Sequence, residues 1–218
     1  MEFEEAKGGS LLEEAISKIR TNERLIICGD IEAQELLEEN IECSEETTDS
    51  ILENALEISS SNWFLSRKEE YKEDFGMDEA EVIGVWPQNI SHQSFVLDKN
   101  ISTNELLEKV AVAKIVVNES WAIPAIFKYG GWNECPDPEV HCSIWKYWQS
   151  KYDAHIIGIS NDTIEAKVFN PPATKEQAME LAWEQYLYCS DIVDQGVESI
   201  SNLAASLLNH DKWFFWWD

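Results

Sequence analysis

Helix signals and strand signals alternate irregularly along this chain, and some strand candidates are separated by only a few residues. Strand-forming residues occupy 155–159 and 163–169, on either side of the turn-prone trio 160–162, which is the pattern of a hairpin. Other segments carry helix caps, as at Thr174-Lys-Glu-Gln177. This mixture predicts an α+β fold, or a mixed-sheet α/β fold, with a central mixed sheet packed by helices.

The same signals predict the positions of the other elements. A capping box at 10–13 begins a helix that continues to about residue 20. Further helices are expected from Asp30 onward, over 50–58 and 102–110, from Pro138 onward, and over 174–188 and 197–208. Further strands are expected at 25–28, 82–86, 113–117, 122–127 and 213–217.

Acidic residues are concentrated in the first part of the chain. Residues 1–80 contain 23 acidic and 7 basic residues, whereas residues 81–218 contain 19 and 9. Tryptophan has the opposite distribution, with eight of the ten at or after Trp121. We therefore divide the chain into an acidic, helix-rich accessory region, residues 1–110, and a Trp-rich α+β domain, residues 111–218.

The formal net charge of −26 restricts the possible partners. Proteins that bind nucleic acid neutralise phosphates with clustered lysine and arginine, so this charge argues against a nucleic-acid partner. The same sign argues against anionic membrane surfaces. Because 44% of the residues are apolar and 11% aromatic, the chain is also unlike a disordered acidic tail, and we expect a folded core.

Two further observations predict a cytoplasmic location. The first five residues, MEFEE, lack the apolar segment of a signal peptide, and no apolar run reaches the roughly 18 residues of a membrane helix. Five cysteines are widely scattered, at positions 28, 43, 135, 142 and 189. This arrangement favours reduced thiols over a disulfide framework.

Several motifs follow one another in the second half of the chain. They are GGWNECP at 130–136, Trp145 with YDA at 152–154, the segment from PP at 171–172 through LAWEQY at 181–186 to CSD at 189–191, and WFFWWD at 213–218. In this order they resemble the bacterial domain-of-unknown-function family 4253, over about residues 113–218. Members of that family usually have glycine where this chain has Asp153. The family has no established activity, so the resemblance implies a domain boundary and no function.

Four residues of these motifs form a candidate ligand site: Trp132, Asn133, Glu184 and Asp191. Trp132 and Asn133, beside two glycines, could present an aromatic floor and an amide to a ligand. Glu184 lies on the apolar side of a predicted helix, where burial would raise the pKa of its carboxyl. The alternative is structural: Asn133 closes a turn, Glu184 satisfies loop amides and Trp132 packs.

Two other hypotheses involve the cysteines. Cys135, His141 and Cys142, with Cys189 as a fourth ligand, could suggest zinc, but zinc sites generally use a closely spaced C-x2-4-C pair. Residues 141 and 142 would also point about 100° apart on a helix. Cysteine catalysis needs a nearby histidine, and the sequence pairs none with a thiol. We predict no metal, no cofactor and no catalytic residue, and the common nucleotide-binding, hydrolase and zinc-protease motifs are missing.

A run of glutamates follows Asp30: Glu35, Glu38, Glu39, Glu42, Glu45 and Glu46. Such a run forms either a solvated face or a surface for a basic protein, because a field of one sign steers an oppositely charged partner. The terminal segment alternates Trp213, Phe215 and Trp217 with Phe214 and Trp216. It predicts a strand buried on both faces, or alternatively an exposed aromatic edge for a partner.

These observations lead to three functional hypotheses. The leading one is a non-enzymatic cytoplasmic interaction protein that binds a basic partner through its acidic surface, as an immunity protein or a phosphate mimic does. The alternative is a small-molecule-binding domain or an enzyme with a pocket at Trp132, Asn133, Glu184 and Asp191. The third is a scaffold without a ligand, and fold alone does not decide among them. The sequence leaves the oligomeric state open.

Overall fold

A mixed β-sheet crosses the whole molecule in this computed structural model, which describes residues 1–7, 9, 11–73, 76–100 and 102–218. Within these residues the strands lie in the order β1-β3-β2-β4-β5-β6, and only the pair β2–β4 is parallel. The fold is therefore α+β, as predicted. The strands are β1 (Glu2–Lys7), β2 (Glu23–Gly29), β3 (Lys109–Val116), β4 (Ala154–Ile159), β5 (Thr163–Val168) and β6 (Lys212–Trp216).

Helices cover both faces of the sheet. They are α1 (Leu11–Lys18), α2 (Ile31–Cys43), α3 (Thr48–Glu57), α4 (Ser60–Glu73), α5 (Glu79–Ile83), α6 (Ile123–Phe127), α7 (Pro138–Tyr152), α8 (Lys175–Tyr188) and α9 (Ile200–Leu207). Asp30 caps α2, and Thr174 with Gln177 forms the predicted capping box of α8; the box predicted at 10–13 includes Ser10, outside the described residues. None of the described helices has both the length and the apolar character needed to span a membrane.

The central strands are apolar on both sides because both sides are covered. Along β2, Leu25 and Ile27 pack with α1 on one face of the sheet, whereas Ile26 and Cys28 belong to the larger core on the other face. Strands buried on both faces carry near-continuous apolar runs. The larger core contains most of the tryptophans, and Trp145 and Trp148 of α7 pack there against Phe215.

The last strand is buried on one face only, contrary to the prediction. Trp213, Phe215 and Trp217 are buried in the core, but Phe214 and Trp216 are half-buried on the opposite face. The reason is that β6 is an edge strand and its second face borders a cavity, which Phe214 and Trp216 line.

Two predicted strands are helical. Residues 82–86 were expected to be extended, but α5 occupies the first two, and Gly84 ends it with φ at +62°. Residues 122–127 were also expected to be extended, but a 3-10 turn (Ser120–Ala122) leads into α6. Pro124 lies in the first turn of α6, where the missing N–H of proline costs nothing.

A segment that we call the strap, residues 84–100 and 102–108, connects α5 to β3. The helix predicted over 102–110 is not formed, because Asn100 Oδ1 accepts hydrogen bonds from the Ser102 and Thr103 amides and closes a turn. Gln93 fixes the strap to the sheet edge, since its Oε1 accepts from the Phe214 amide at 3.1 Å. Covering an edge strand in this way limits pairing with other chains.

The acidic region and the Trp-rich region share one sheet. Strand β3 lies between β1 and β2 and pairs with both, and the division between residues 110 and 111 falls inside β3. The accessory region therefore supplies two strands; its helices α1 and α2 pack on the sheet, and α3 and α4 pack on α7 of the Trp-rich region.

Candidate functional site

The glutamates singled out in the sequence lie on α2 and on the segment that follows it. Leu37 is fully buried and fixes one side of α2 against the core, so the opposite side faces solvent. All six glutamates are exposed except Glu38, which is half-buried. We call this set the acidic surface: Glu35, Glu38, Glu39, Glu42, Glu45 and Glu46.

Within the described residues, no lysine or arginine forms an ion pair with the acidic surface. Residues 25–66 contain eleven acidic and no basic residues, and none of these carboxylates takes part in an ion pair within the described ranges. The ammonium of Lys128, whose charge acts on Glu46 and Asp49, donates its hydrogen bond to the Thr48 hydroxyl at 3.3 Å. Like charges three or four residues apart on a helix destabilise it by about 0.2–0.5 kcal/mol per pair. The surface therefore retains a repulsion that an external cation would relieve.

Glu184, the predicted buried carboxylate of α8, is held by side chains of α7 and not by loop amides. Its Oε1 accepts from the Tyr147 hydroxyl at 2.7 Å and from the Lys151 ammonium at 3.1 Å. Its Oε2 accepts from the Trp148 indole N–H at 2.9 Å. With both oxygens engaged and the side chain only 12% exposed, Glu184 joins α7 to α8.

Asn133 and Asp191 meet at the backbone of Asp218. The Asn133 side-chain amide donates to the Asp218 carbonyl at 2.7 Å, and the Asp218 N–H donates to Asp191 Oδ2 at 3.0 Å. Gln195 engages the other oxygen of Asp191 at 2.9 Å. The two residues hold the segment after β6, and Glu184 shares none of these bonds. The predicted four-residue pocket is thus divided between two places.

The loop between α6 and α7 positions Trp132, whose ring packs edge-on against Tyr129 with centroids 4.9 Å apart. Gly130 in this loop has φ at +113°, and a Cβ added there would lie 1.9 Å from the Pro136 carbonyl oxygen and 2.8 Å from the His141 ring. The loop therefore folds back on itself too closely for any side chain at position 130. Trp132 is one of the packed side chains of this loop, through its contact with Tyr129.

Asn133 also lines a cavity of about 430 Å³ between this loop and α4. Its cation, Arg67, is already paired with Glu70 at 2.9 Å and with Glu134. A ligand in this cavity would have to displace those carboxylates before it could use the guanidinium. The guanidinium of Arg67 is therefore already engaged, and the cavity, which Glu70, Glu134 and Asp137 also line, keeps an excess of negative charge.

Cys135, at the end of the loop, contacts His141, so the expectation that no histidine pairs with a thiol is wrong. The distance from Cys135 Sγ to His141 Nε2 is 3.3 Å, and His141 Nδ1 meets the Tyr188 hydroxyl. The Trp145 indole N–H donates to the same hydroxyl at 2.9 Å. The sequence predicted that a helix begins at Pro138, which puts His141 one turn into α7. No sequence signal predicted that the preceding loop turns back toward His141.

The protonation of this chain of hydrogen bonds argues against an active thiol. Burial lowers the pKa of His141 to about 3 against the opposing effect of the Pro136 carbonyl, and burial raises the pKa of Cys135. The Cys135 thiol is therefore protonated and the His141 imidazole is neutral, so the pair lacks the thiolate that nucleophilic catalysis requires. The group is a buried, hydrogen-bonded element of the core.

The four residues of the zinc hypothesis are not gathered. Cys142 packs in a separate cluster with Ile51 and Ala125, on another side of α7 from His141, as the helical angle requires. Cys189 donates to the Trp216 carbonyl at 3.0 Å. In the part of the chain that the structure describes, no three histidine, cysteine or acidic side chains are grouped to hold a metal ion.

A larger cavity, of about 650 Å³, lies where the parallel strands β2 and β4 end. Carboxyl ends of parallel strands meet at one edge, and ligand sites of open sheets commonly occupy this position. The turn after β4, the first turns of α2, the strap and β6 form its walls. No sequence motif indicates this cavity because four separate segments build it, although two of its residues, Phe214 and Trp216, were singled out as the second face of the last strand.

Glu165 of β5 fastens the strap beside this cavity. The residue is fully buried, and its Oε1 accepts from the backbone amides of Val96 and Leu97, the latter at 3.2 Å. Burial raises the pKa of Glu165 to about 8, although the two amides act in the opposite direction. At neutral pH Glu165 is therefore mostly a neutral carboxylic acid that ties the strap to the sheet.

The protonation of Glu165 predicts a pH-dependent stability. The unfolded carboxyl releases its proton near pH 4.5 and the folded one near pH 8, so between these values the folded state binds more protons. Stability should therefore fall as pH rises through this window, by at most about 1.4 kcal/mol per unit. The neutral Glu165→Gln variant should lack this component, so its stability relative to the wild type should increase from pH 5 to pH 8 in denaturant titrations.

Glu105→Gln, an exposed glutamate of the same strap, serves as the control and should follow the wild-type profile. Parallel profiles for the wild type and Glu165→Gln would show that Glu165 is ionised throughout this range in the folded state, contrary to the expectation.

Comparisons with known proteins identify only the second half of the chain. Residues 111–218 match the family model described as "Domain of unknown function (DUF4253)", which confirms the resemblance drawn from the motifs between Gly130 and Asp218. Searches of curated proteins and of solved structures found no match. The acidic surface lies outside the matched region, whereas the Cys135 network and β6 lie inside it.

Proposed function

We propose that this protein, whose residues 111–218 match the DUF4253 family, is a non-enzymatic interaction protein of the bacterial cytoplasm that binds a basic protein through its acidic surface. Two kinds of protein act in this manner: an immunity protein that blocks a toxin, and a phosphate mimic that occupies a nucleic-acid site. The observation that carries the proposal is the stretch of eleven carboxylates without a basic residue or an ion pair in the described structure.

The contrast with the rest of the molecule supports this proposal. Elsewhere the few cations are used to neutralise carboxylates, as in the pairs Lys114–Glu4 at 2.8 Å and Lys18–Glu14 at 3.0 Å. On α2 and α3 the carboxylates repel one another and a partner's lysines and arginines would relieve that repulsion. A field of one sign also accelerates the encounter with a basic protein.

The way α2 is held supports the proposal as well. Asp30 caps its first turn by accepting from the Ala33 amide at 3.0 Å, and Leu37 anchors its inner side in the core. The glutamates are thus presented on a fixed helix and not on a mobile tail. Pre-organised charges lose less conformational entropy on binding than disordered ones do.

The state of Glu184 and of the Cys135–His141 pair favours a non-enzymatic role. Glu184 has both oxygens bonded, and the Cys135–His141 pair is neutral and buried. Neither arrangement offers the exposed base or thiolate that general acid–base or nucleophilic catalysis requires.

The experiment compares two triple variants that change the net charge equally. Glu35→Gln/Glu39→Gln/Glu42→Gln neutralises the acidic surface, and Glu69→Gln/Glu105→Gln/Glu108→Gln neutralises three exposed, unpaired carboxylates elsewhere. In pull-downs at low salt, we expect the wild type and the control triple to retain the same basic protein. The α2 triple should bind that purified protein about tenfold more weakly in calorimetric titrations.

Raising the salt concentration should weaken the wild-type complex much more than that of the α2 triple, because the acidic surface is exposed and screened. Equal losses of affinity in both triples would indicate a general charge effect and would contradict a localised surface. Retention of no basic protein by the wild type would contradict the proposal itself.

The alternative function, binding of a small molecule, is favoured by a cavity and not by the four residues that first suggested it. Trp132, Asn133, Glu184 and Asp191 do not line one cavity, but the cavity of about 650 Å³ at the ends of β2 and β4 has the size of ligand pockets. A small-molecule-binding domain is therefore the second candidate, with this cavity as its site.

A further inference from the structure

The cavity at the ends of β2 and β4 has an aromatic wall. Phe214 and Trp216 line it from the half-buried face of β6. Among the described residues neither ring is paired with another aromatic ring or lies under a cation, whereas the rings of Trp213 and Phe215 are packed inside the core. The π faces of Phe214 and Trp216 are therefore open to a ligand, and such faces attract cations.

The charged side chains of the same cavity are mainly acidic. Asp30, Glu32 and Asp162 line it, against one cation, Lys99, and none of the four takes part in an ion pair within the described ranges. Asp162 Oδ1 accepts from the hydroxyls of its own turn, at 3.0 Å from Ser160. Its second oxygen has no hydrogen bond to any of the described residues and is not buried, so it can accept a hydrogen bond from a ligand.

This combination selects a planar cation. A guanidinium group stacks on aromatic rings and donates several hydrogen bonds in one plane to carboxylates. An ammonium also donates hydrogen bonds to carboxylates, but it does not stack on a ring in this way. A phosphate or carboxylate ligand would meet three carboxylates and the field of a chain with net charge −26. A purely apolar ligand would leave the carboxylates desolvated without a partner.

The cavity opens beside the acidic surface. Glu32 and Leu36 of α2 line the cavity, and Glu35 and Glu39 follow on the exposed part of the same helix. A protein that lies along α2 therefore passes the mouth of the cavity. We propose that this cavity receives an arginine side chain of the basic partner, which anchors the complex; this inference rests on the proposed function.

The test uses acetyl-arginine amide as the probe and acetyl-citrulline amide as its neutral control of the same shape. Binding is followed by shifts of the indole N–H signals in NMR titrations. The arginine derivative should bind about tenfold more tightly than the citrulline derivative. Trp216→Leu and Asp162→Asn should each weaken it about fivefold, while the α2 triple variant described above should change it by less than about twofold.

Both cavity variants should also weaken the complex with the basic partner. Leucine keeps the Trp216 backbone carbonyl that Cys189 uses, and asparagine keeps the oxygen that accepts from Ser160. Thermal unfolding will verify that each variant is folded. If either folds poorly, Phe214→Leu replaces it, since that residue also lines the cavity.

The outcomes separate this inference from the proposed function. Equal affinity for both amides, or unchanged arginine affinity in the folded cavity variants, overturns the guanidinium site. Loss of partner binding in the α2 triple but not in Trp216→Leu overturns the anchoring role and leaves the proposed function standing. Selective arginine binding by a protein that retains no basic partner makes the cavity a site for a free guanidinium compound and overturns both the proposed function and the anchoring role.

Discussion

Replacing Gly130 with alanine is expected to destabilise the protein by at least about 4 kcal/mol, close to complete unfolding. The added Cβ would lie 1.9 Å from the Pro136 carbonyl oxygen and 2.8 Å from the His141 ring. Neither neighbour can move freely, since Pro136 O accepts from the Gly131 amide at 3.0 Å and His141 is fully buried. The loss should appear as a lower denaturation midpoint and a weaker near-ultraviolet signal from the tryptophans.

Gly9→Ala is the matched control, because Gly9 has nearly the same φ, +112°, and a Cβ there meets nothing within 4 Å. Its cost should be the backbone strain alone, about 1 kcal/mol. The difference between the two variants therefore measures the steric conflict inside the loop. Similar stabilities for Gly130→Ala and Gly9→Ala would contradict the close approach of the loop to His141.

Replacing Glu184 with alanine is expected to destabilise the protein by about 3 kcal/mol. The change leaves the indole N–H of Trp148 without an acceptor, and Trp148 is completely buried. It also removes a partner of Tyr147 and Lys151, so only the exposed Lys151–Glu180 pair still joins these side chains of α7 to α8. The free energy of unfolding in urea measures this effect.

Glu180→Ala removes the carboxylate one turn earlier, which also pairs with Lys151 at 2.7 Å but is 61% exposed. That variant should lose less than about 0.5 kcal/mol. A small effect for Glu184→Ala, comparable to that of Glu180→Ala, would show that Glu184 is not structural. It would then return as a candidate for ligand binding.

Local signals predicted the elements that depend on local chemistry. The Thr174–Gln177 capping box begins α8 where it was expected, and Asp30 caps α2. The hairpin of β4 and β5 forms across 160–162. In each case, neighbouring residues supply the hydrogen bonds or the φ preference that decides the structure.

Predictions failed where distant contacts decide the structure. The helix expected over 102–110 carries a good capping pattern, but Leu106 pairs with Lys99 and β3 begins at Lys109, where it pairs with β1. Tertiary contacts of this kind override a weak local preference. Residues 122–127 are apolar enough for a strand, yet Pro124 fits the first turn of a helix.

The candidate site shows the same limit. The position of Glu184 on its helix correctly predicted a carboxylate with little exposure, but its partners lie 33 to 37 residues earlier, on α7. Cys135 and His141 are six residues apart, which is neither a helix nor a strand spacing. Their contact depends on a loop that only the structure specifies. The cavity draws on four segments, so no single motif could indicate it.

The two regions of the chain have separate roles within one fold. The region matched to the family contributes the aromatic core and β6, and the accessory region contributes α2 with its uncompensated glutamates. Because both regions share the sheet, α2 and the aromatic wall of β6 are held in a fixed relation around one cavity. The central claim is that the basic partner docks on this side of the molecule.

Hydrogen–deuterium exchange of the protein with and without its basic partner tests that claim most directly. We expect the partner to slow exchange in α2 and in the segment through residue 46, and at the turn 160–163 that borders the cavity. The rest of the surface should exchange as in the free protein. Protection confined to the loop at 130–136 and to α4, with α2 unchanged, would contradict the account.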